Sequence, residues 1–410
     1  MTDRATPRAP GPASRAAGAA PTALLTRPRD APATLRVTLC RDPARFAALA
    51  APWDDLHGRC RAATPFQRHA WLYSWWLSYG LSGRLRLALV HRGDELVGAA
   101  PLMSAFRPLP VLVPLGGAIT DFCDVLLDDS CAEEAADALA RGLYRAARTA
   151  VIDLREVRPG GRAELLYDHW PGPRRRLTDS VCLELPGVPM DDLVARMPAG
   201  AARRMRGKLR RLDRAGVESR VVPAREVPAA VTTLLRLHVL QWQGRGITPE
   251  HLRPRFAEHL IRSLTAMAGD GAARLTEYRV DNRVVAVNAL LLSSDLVGGY
   301  LYGAHPELRA KVDLAAMLLR NDSSCAAETG RRVLSLLRGT EPYKSHWRPE
   351  AVANRRLLLA HSALEPLLRL HTAQQNARSR LADAIRDREP GEGARRPRPE
   401  GRHASPAGAR

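Results

Sequence analysis

Apolar and polar positions follow two rhythms along this chain, and the order of those rhythms repeats. Leu35-Arg-Val-Thr-Leu39 alternates like a half-buried strand. Asp42 to His57 then follows a helical period with Phe46, Leu49, Trp53 and Leu56 on one face. An aromatic-rich helix runs from Trp71 to Tyr79 and is closed by Gly80. Leu85 to His91 and Glu95 to Met103 read as a hairpin across Arg92-Gly-Asp94. Short apolar runs at Pro110 to Leu115 and Val125 to Leu127 surround a Gly116-Gly117 turn. Ala132 to Arg148 is a helix, Ala150 to Leu154 a buried strand, and Val181 to Leu185 closes this first half.

The second half runs through the same order. Arg203 to Ala215 is a basic helix ended by Gly216, and Val217 to Val222 a strand. Val227 to Gln243 and His251 to Ala268 are helices. Arg274 to Val280 and Arg283 to Leu292 form a hairpin across Asp281-Asn282, followed by a strand from Val297 to Tyr302. Asp313 to Thr329 is a helix with Gly330 at its C-terminal cap. Val333 to Leu337 and Asn354 to His361 are the last strands. Strand, two helices, hairpin, strand, helix and strand thus occur twice, without a close repeat of sequence. The pattern predicts an α/β (α+β) fold of two tandem lobes, each a mixed sheet flanked by helices.

Composition sets the boundaries. Residues 1–34 are dominated by Ala, Pro, Arg, Gly and Thr, and residues 374–410 end in a Pro/Gly/Arg-rich run. Neither can bury enough apolar surface to offset its ordering entropy, so both are expected to be disordered. The first lobe then spans 35–186 and the second 187–373, with the join near Pro186-Gly-Val-Pro189. Six scattered cysteines, with no C-x-x-C and no His/Cys pair at ligand spacing, read as core residues in a reducing compartment and exclude a zinc site. No apolar run reaches the roughly 20 residues of a membrane helix, and no compact apolar segment follows the N-terminal arginines. The expectation is a cytoplasmic protein that does not insert into membranes.

The net charge of +19 invites an anionic partner. A second reading competes: lysine stands only at positions 208, 311 and 344 of an Arg- and Ala-rich chain, the bias of a GC-rich coding sequence.

Three segments carry a family resemblance. They are Pro65-Phe66 with the Trp71/Trp75/Trp76 helix and the hairpin into Leu96-Val-Gly-Ala-Ala-Pro-Leu102; the basic helix Arg203 to Gly216; and Leu336-Leu-Arg-Gly-Thr-Glu-Pro-Tyr-Lys-Ser-His-Trp347. In this order they resemble the CelD-like branch of the GNAT acetyltransferase superfamily, itself similar to the Fem-type aminoacyl transferases. The resemblance implies two GNAT-like lobes, acetyl-CoA as acyl donor, and a small-molecule or nucleotide-linked acceptor between the lobes. It implies a donor pyrophosphate at the N-terminus of the helix from Asp313, where backbone N–H groups and the helix dipole favour an anion. Tyr302, Ala304, His305, Arg309 and Lys311 are the donor-binding candidates on that segment. The turn Ala310-Lys-Val-Asp313 lacks the glycine expected there, so either Arg309 and Lys311 replace it or the donor site is lost.

The chemistry is expected in the third segment. Lys344 offers a compact ammonium for a phosphate or a developing oxyanion, or serves as a salt-bridging lysine with Glu341. Tyr343 is placed to protonate a leaving thiolate and Glu341 to act as general base, or both serve packing and loop order. If the run is extended, Tyr343 and Lys344 point to opposite faces. Arg338, Trp347, Asp121, Arg206, His238 and Trp242 are the acceptor-side candidates, each with a packing or ion-pairing alternative. The readings are acyl transfer from CoA to an amine or hydroxyl, a Fem-like transfer from aminoacyl-tRNA, and a catalytically silent module that binds a polyanion or partner protein.

Overall fold

The computed structural model describes residues 34–388 except 107, 108, 245 and 340, and describes no side chain for 342, 343 and 379–388. Most of the two ends expected to be disordered lies outside the described residues. In the first half the elements are β1 (Leu35–Cys40), α1 (Pro43–Ala48), α2 (Ala50–Arg59), α3 (His69–Tyr79), β2 (Leu85–Arg92), β3 (Glu95–Phe106), β4 (Pro110–Pro114), β5 (Leu126–Leu127), α4 (Ala132–Ala146), β6 (Val151–Val157), α5 (Arg162–Asp168) and β7 (Arg174–Pro186). In the second they are α6 (Met190–Ala195), α7 (Ala199–Arg214), β8 (Glu218–Val221), α8 (Val227–Trp242), α9 (Pro254–Gly269), β9 (Ala273–Val280), β10 (Arg283–Leu292), β11 (Leu296–Ala304), α10 (Leu308–Lys311), α11 (Leu314–Glu328), β12 (Val333–Arg338), α12 (Pro342–Ser345), β13 (Glu350–Leu359) and α13 (Glu365–Arg388).

The two lobes share one mixed sheet with the order β1-β2-β3-β4-β6-β13-β7-β12-β11-β10-β9-β8, and β5 pairs with β3. The exchange at its centre is the main departure from the sequence reading. The strand expected to close the first lobe, β7, pairs with β12 of the second. β13, from the end of the second half, lies between β6 and β7. The charged start of β7, Arg174-Arg-Arg-Leu-Thr-Asp, gave no strand signal. It pairs with β13 through register positions Leu359 to Arg355 and leaves two of its arginines exposed.

Packing follows the strand alternation. One core cluster joins α3 of the first lobe to α8 and α9 of the second through Trp71, Leu234, Phe256 and Leu260, all fully buried. Trp71 also donates from Nε1 to Thr120 Oγ1 at 2.9 Å, so the aromatic helix fixes the loop that leads into the lobe junction. At Gly303 a Cβ would stand 2.2 Å from the Leu234 carbonyl, and glycine there lets α8 lie directly on β11. The six cysteines are buried and unpaired. Among the described residues no helix is long and apolar enough to cross a membrane.

α13 continues past Gln374, where the sequence reading begins a disordered tail. Its first turns carry an anchor: buried His371 reaches the Asp153 carboxylate of β6 at 3.1 Å, with Arg356 of β13 on the same group at 2.7 and 2.5 Å. Burial alone would raise Asp153, but the hydrogen bonds from His371 and Arg356 prevail and hold it down at about 2.

Candidate functional site

Neighbouring strands lose register at the same level of the sheet. β13 slips against β7 between Ala353 and Arg355 and against β6 between Arg355 and Leu357, and β12 slips against β7 between Ser335 and Arg338. Glu156 and Leu337 sit there at φ 55° and 56°, in the left-handed region that non-glycine residues avoid. Bulges of this kind re-aim side chains, and these gather a polar cluster inside an apolar sheet. Arg338 donates from Nε to Asp121 at 2.7 Å, from Nη1 to Glu156 at 3.2 Å and from Nη2 to the Ala118 carbonyl at 2.8 Å. The second Glu156 oxygen accepts from Ser180 and, at 3.0 Å, from Asn354 Nδ2. Asp179 accepts the Glu156 N–H at 2.9 Å.

The electrostatics of this cluster follow from burial and pairing. Burial alone would lower Arg338, but the charge and hydrogen bond of Asp121, with Glu156 behind, raise it further. Burial, then the charge of Glu156, pushes Asp179 up. Asp124, from the same loop as Asp121, has a different task. It accepts the N–H groups of Arg162 and Ala163 at the start of α5, at 2.8 and 2.6 Å, and burial raises it to about 7.

The segment after β12 is helical, not extended. α12 is one turn, so the opposite-face argument for Tyr343 and Lys344 does not apply, and the Tyr343 side chain lies outside the described residues. Lys344 is 5% exposed. Its Nζ donates to the Arg338 and Gly339 carbonyls at 3.0 and 3.3 Å and pairs with Glu341 at 2.8 Å. Its ammonium therefore folds the loop back over Arg338. Gly339, at φ 106°, has the Glu341 carboxylate 2.7 Å from where a Cβ would stand, so the turn requires glycine.

A second feature lies one strand over. β11 and β12 run parallel for only three pairs, Leu296–Val333, Val297–Leu334 and Gly298–Ser335, and then part. A bulge in β11 falls just beyond, at Tyr300, between the Leu290–Gly299 and Ala289–Leu301 pairs. Because the His305 N–H bonds Val285 of β10 at 2.8 Å, alternation turns the Tyr302 carbonyl and Ala304 N–H toward the side β12 has left. α8 meets them instead. Gln241 Oε1 accepts from Ala304 N at 3.0 Å, and His238 Nδ1 donates to the Tyr302 carbonyl at 2.8 Å. That bond fixes the tautomer, so His238 Nε2 accepts from His251 Nδ1 at 3.1 Å. Burial, then the neighbouring His238, lowers His251 to about 4. The Trp242 ring stands 6.2 Å from His238.

The third feature is at the start of α11. Asp313 caps that helix, accepting from Ala316 N at 2.9 Å, and pairs with Lys208 of α7 at 2.7 Å. A cavity of about 300 Å³ beside it has Met197, Met205 and Trp347 as its apolar floor and Arg204, Lys208 and His346 among its polar lining. Trp347 is 3% exposed. Arg206 projects from α7 into solvent, and Arg309 and Lys311 are exposed on α10; none of these three lines the cavity. His305 stands 3.5 Å from Glu307 at the end of β11.

The sequence candidates therefore fall into separate groups. Asp121, Arg338, Glu341 and Lys344 come together, as do Tyr302, Ala304, His238 and Trp242, while Trp347 belongs with Lys208 and Asp313. Glu156, Ser180, Asn354 and Gln241 escaped the sequence reading. Gln241 left a signal, a polar residue at a buried position of the largely apolar α8, whereas Glu156, Ser180 and Asn354 stand in strands of mixed polarity that hide them.

Comparison with known proteins places this geometry. Residues 199–345, from α7 to α12, match the family model described as Acetyltransferase (GNAT) domain. This match lies in the second half of the chain and does not single out the CelD-like branch. No curated protein matches it. Among solved structures FemX aligns over 78% of this chain and 98% of its own, at 13% identity and TM-score 0.57. The C-terminal domain of a putative lysylphosphatidylglycerol synthetase from Agrobacterium fabrum aligns over 80% and 96%, at 12% identity and TM-score 0.50. At these identities the likeness is one of fold.

Proposed function

We propose that this protein is an N-acyltransferase whose second lobe holds an acyl donor, acetyl-CoA in the first instance, and passes the acyl group to a polar acceptor bound where the lobes meet. The observation that carries this reading is the parting of β11 from β12 after Gly298. It leaves a strand edge whose carbonyl and N–H suit an extended chain bearing amides, as in strand addition. The GNAT match covers the elements that bracket this parting. The resemblance of three segments to the CelD-like branch supports the same reading.

The residues present fit such a donor with one reservation built into the chain. Arg204 and Lys208 offer cations at the α11 end, and Met197, Met205 and Trp347 an apolar floor. The Asp313 carboxylate, however, already caps α11 and neutralises Lys208, so a donor phosphate binds in competition with it. Likewise an amide chain on β11 replaces His238 and Gln241. In the reaction the acceptor nitrogen bonds the acyl carbon, the bond to the leaving sulfur breaks and the sulfur keeps the electron pair. The nitrogen's proton goes to a carboxylate of the junction cluster. Arg338, fixed by Asp121 and Glu156 and covered by the Lys344 loop, supplies positive potential at the developing oxyanion.

A second reading, transfer from an aminoacyl ester on tRNA, is favoured by one observation. Arg203, Arg206, Arg210 and Arg214 are exposed on α7 and have no carboxylate partner among the described residues, a row suited to phosphates. The experiment that separates the two uses the full chain. Thiol release from acetyl-CoA on adding an amine supports the first reading. Retention of aminoacyl-tRNA that weakens steeply with salt, without thiol release, replaces it with the second.

A further inference from the structure

The first lobe holds a cluster that acyl transfer leaves unused, at the other end of its strands. β4 and β6 pair in parallel, and the junction cluster lies toward their C-terminal ends, at Asp121 and Glu156. A cavity of about 310 Å³ opens at their N-terminal ends, where Pro110 and Ala150 belong to its lining. Arg41, Arg84 and Arg86 line it too, and among the described residues no Asp or Glu does. Nor have these three arginines a carboxylate partner among the described residues. Asp42 follows Arg41 in the chain but turns its carboxylate to the start of α1, where it accepts the Ala44 N–H at 2.9 Å.

Repulsion within the cluster therefore meets no neighbouring counter-charge. Arg86 spends Nη1 on the Gly83 and Leu85 carbonyls at 2.7 and 2.6 Å, and burial, then the charges of Arg41 and Arg84, lowers it. The C-terminus of α4 reaches the same cavity through Ala146 and Ala147, but its dipole is equivalent to roughly half a charge against three. An anion relieves this arrangement. The rim is apolar. The Arg84 guanidinium lies over the Phe106 ring at 5.0 Å, and Phe106 is 64% exposed. Leu81, whose carbonyl accepts the Arg84 N–H at 3.0 Å, is 61% exposed, and Leu39 of the lining is exposed as well. One such side chain is ordinary on a surface, but three around a set of cations without carboxylates make an amphipathic patch.

This combination selects among anions. A free phosphate leaves the apolar rim in water, and a nucleic acid calls for cations in a row along its backbone, not around one cavity. An anionic bilayer surface meets both features, since it attracts each arginine and takes the apolar tips below its headgroups. We infer that this end of the first lobe docks peripherally on anionic phospholipid. A lipid phosphate enters the cavity among Arg41, Arg84 and Arg86, while Leu39, Leu81 and Phe106 dip into the boundary with the acyl chains. The junction cluster, at the opposite strand ends, then points away from the bilayer. Such docking does not depend on acyl transfer.

Full-length protein is sedimented with vesicles of phosphatidylcholine alone and with vesicles of equal parts phosphatidylcholine and phosphatidylglycerol. It partitions onto the mixed vesicles at least ten-fold more strongly. Because a net charge of +19 draws the chain to any anionic surface, two charge-matched variants are compared. Arg41→Glu with Arg84→Glu weakens partition at least ten-fold, whereas Arg203→Glu with Arg206→Glu, at exposed positions of α7, changes it less than two-fold. Leu81→Ser with Phe106→Ser leaves the charge unchanged and weakens partition at least five-fold, which keeps the test independent of the arginines. Inorganic phosphate releases the protein no better than chloride at the same ionic strength. No partition onto the mixed vesicles, equal partition onto both kinds, equal effects of the two charge reversals, or full binding by the Leu81 and Phe106 variant overturns the inference. Selective release by phosphate also overturns it and makes the cavity a site for free phosphate.

Discussion

Arg338, at the end of β12 in the second lobe, donates from Nε to Asp121 of the first lobe at 2.7 Å, with only 23% and 13% of the two side chains exposed. The same guanidinium reaches Glu156 and the Ala118 carbonyl, so a single side chain ties three segments together across the lobe junction. Removing Asp121 leaves the mostly buried Arg338 charge with Glu156 as its remaining carboxylate among the described residues. Asp121→Ala is expected to destabilise the protein by about 3 kcal/mol. In a double-mutant cycle with Arg338→Ala the coupling is about 1–3 kcal/mol, read from urea unfolding. Additive effects would show that the pair does not hold the junction.

Lys344 bonds two carbonyls of the loop that carries Arg338. Lys344→Ala is therefore expected to lower the melting temperature as well as turnover, by about 2 kcal/mol of stability for a buried charge-assisted network. Lys344→Arg, which cannot place a compact ammonium between those carbonyls, should recover little of either. A variant with unchanged melting and abolished turnover would make the ammonium purely catalytic.

Acid stability should carry the mark of His259. It is fully buried beside Trp71 at a ring distance of 4.5 Å, and neither ring nitrogen has a partner among the described residues. Burial, then the charge of Arg262, lowers it to about 3. A depressed histidine favours the fold above its unfolded value near 6.5, and that advantage is lost as pH falls toward the folded value. His259→Phe should thus be the more stable protein, increasingly so by ~1.4 kcal/mol for each pH unit below 6.5. Parallel stability curves for the two proteins between pH 6.5 and 4.5 would contradict this.

At α11, Asp313→Asn keeps an oxygen for the Ala316 N–H and removes the charge that competes with a donor phosphate. Acetyl-CoA should bind this variant more tightly by about 1 kcal/mol, roughly five-fold, in a titration at low ionic strength. Weaker binding would place the donor elsewhere.

Much of this architecture could be read from periodicity, because nearly every strand and helix that buries a full apolar face announces it. The hairpins at Arg92-Gly-Asp94 and Asp281-Asn282 and the helix that starts at Asp313 fall where expected. What escaped was long-range or polar. The exchange of β7 and β13 depends on which edge a strand joins, and the polar start of β7 hides its pairing. Asp121 and Arg338 stood out by motif, but nothing local says that they touch. Glu156, Ser180 and Asn354 matter only because coincident bulges bring them together, and bulges leave no pattern in a single chain. Arg309 and Lys311, placed by charge beside the expected donor turn, point to solvent because α10 ends before α11 begins.

The most direct test of the proposed function is a calorimetric titration of the full chain with acetyl-CoA at low ionic strength, repeated with Lys208→Glu. Saturable binding in the micromolar range, weakened at least ten-fold by the substitution, is the result expected if the second lobe holds the donor beside α11. Absence of binding up to millimolar acetyl-CoA would contradict that claim.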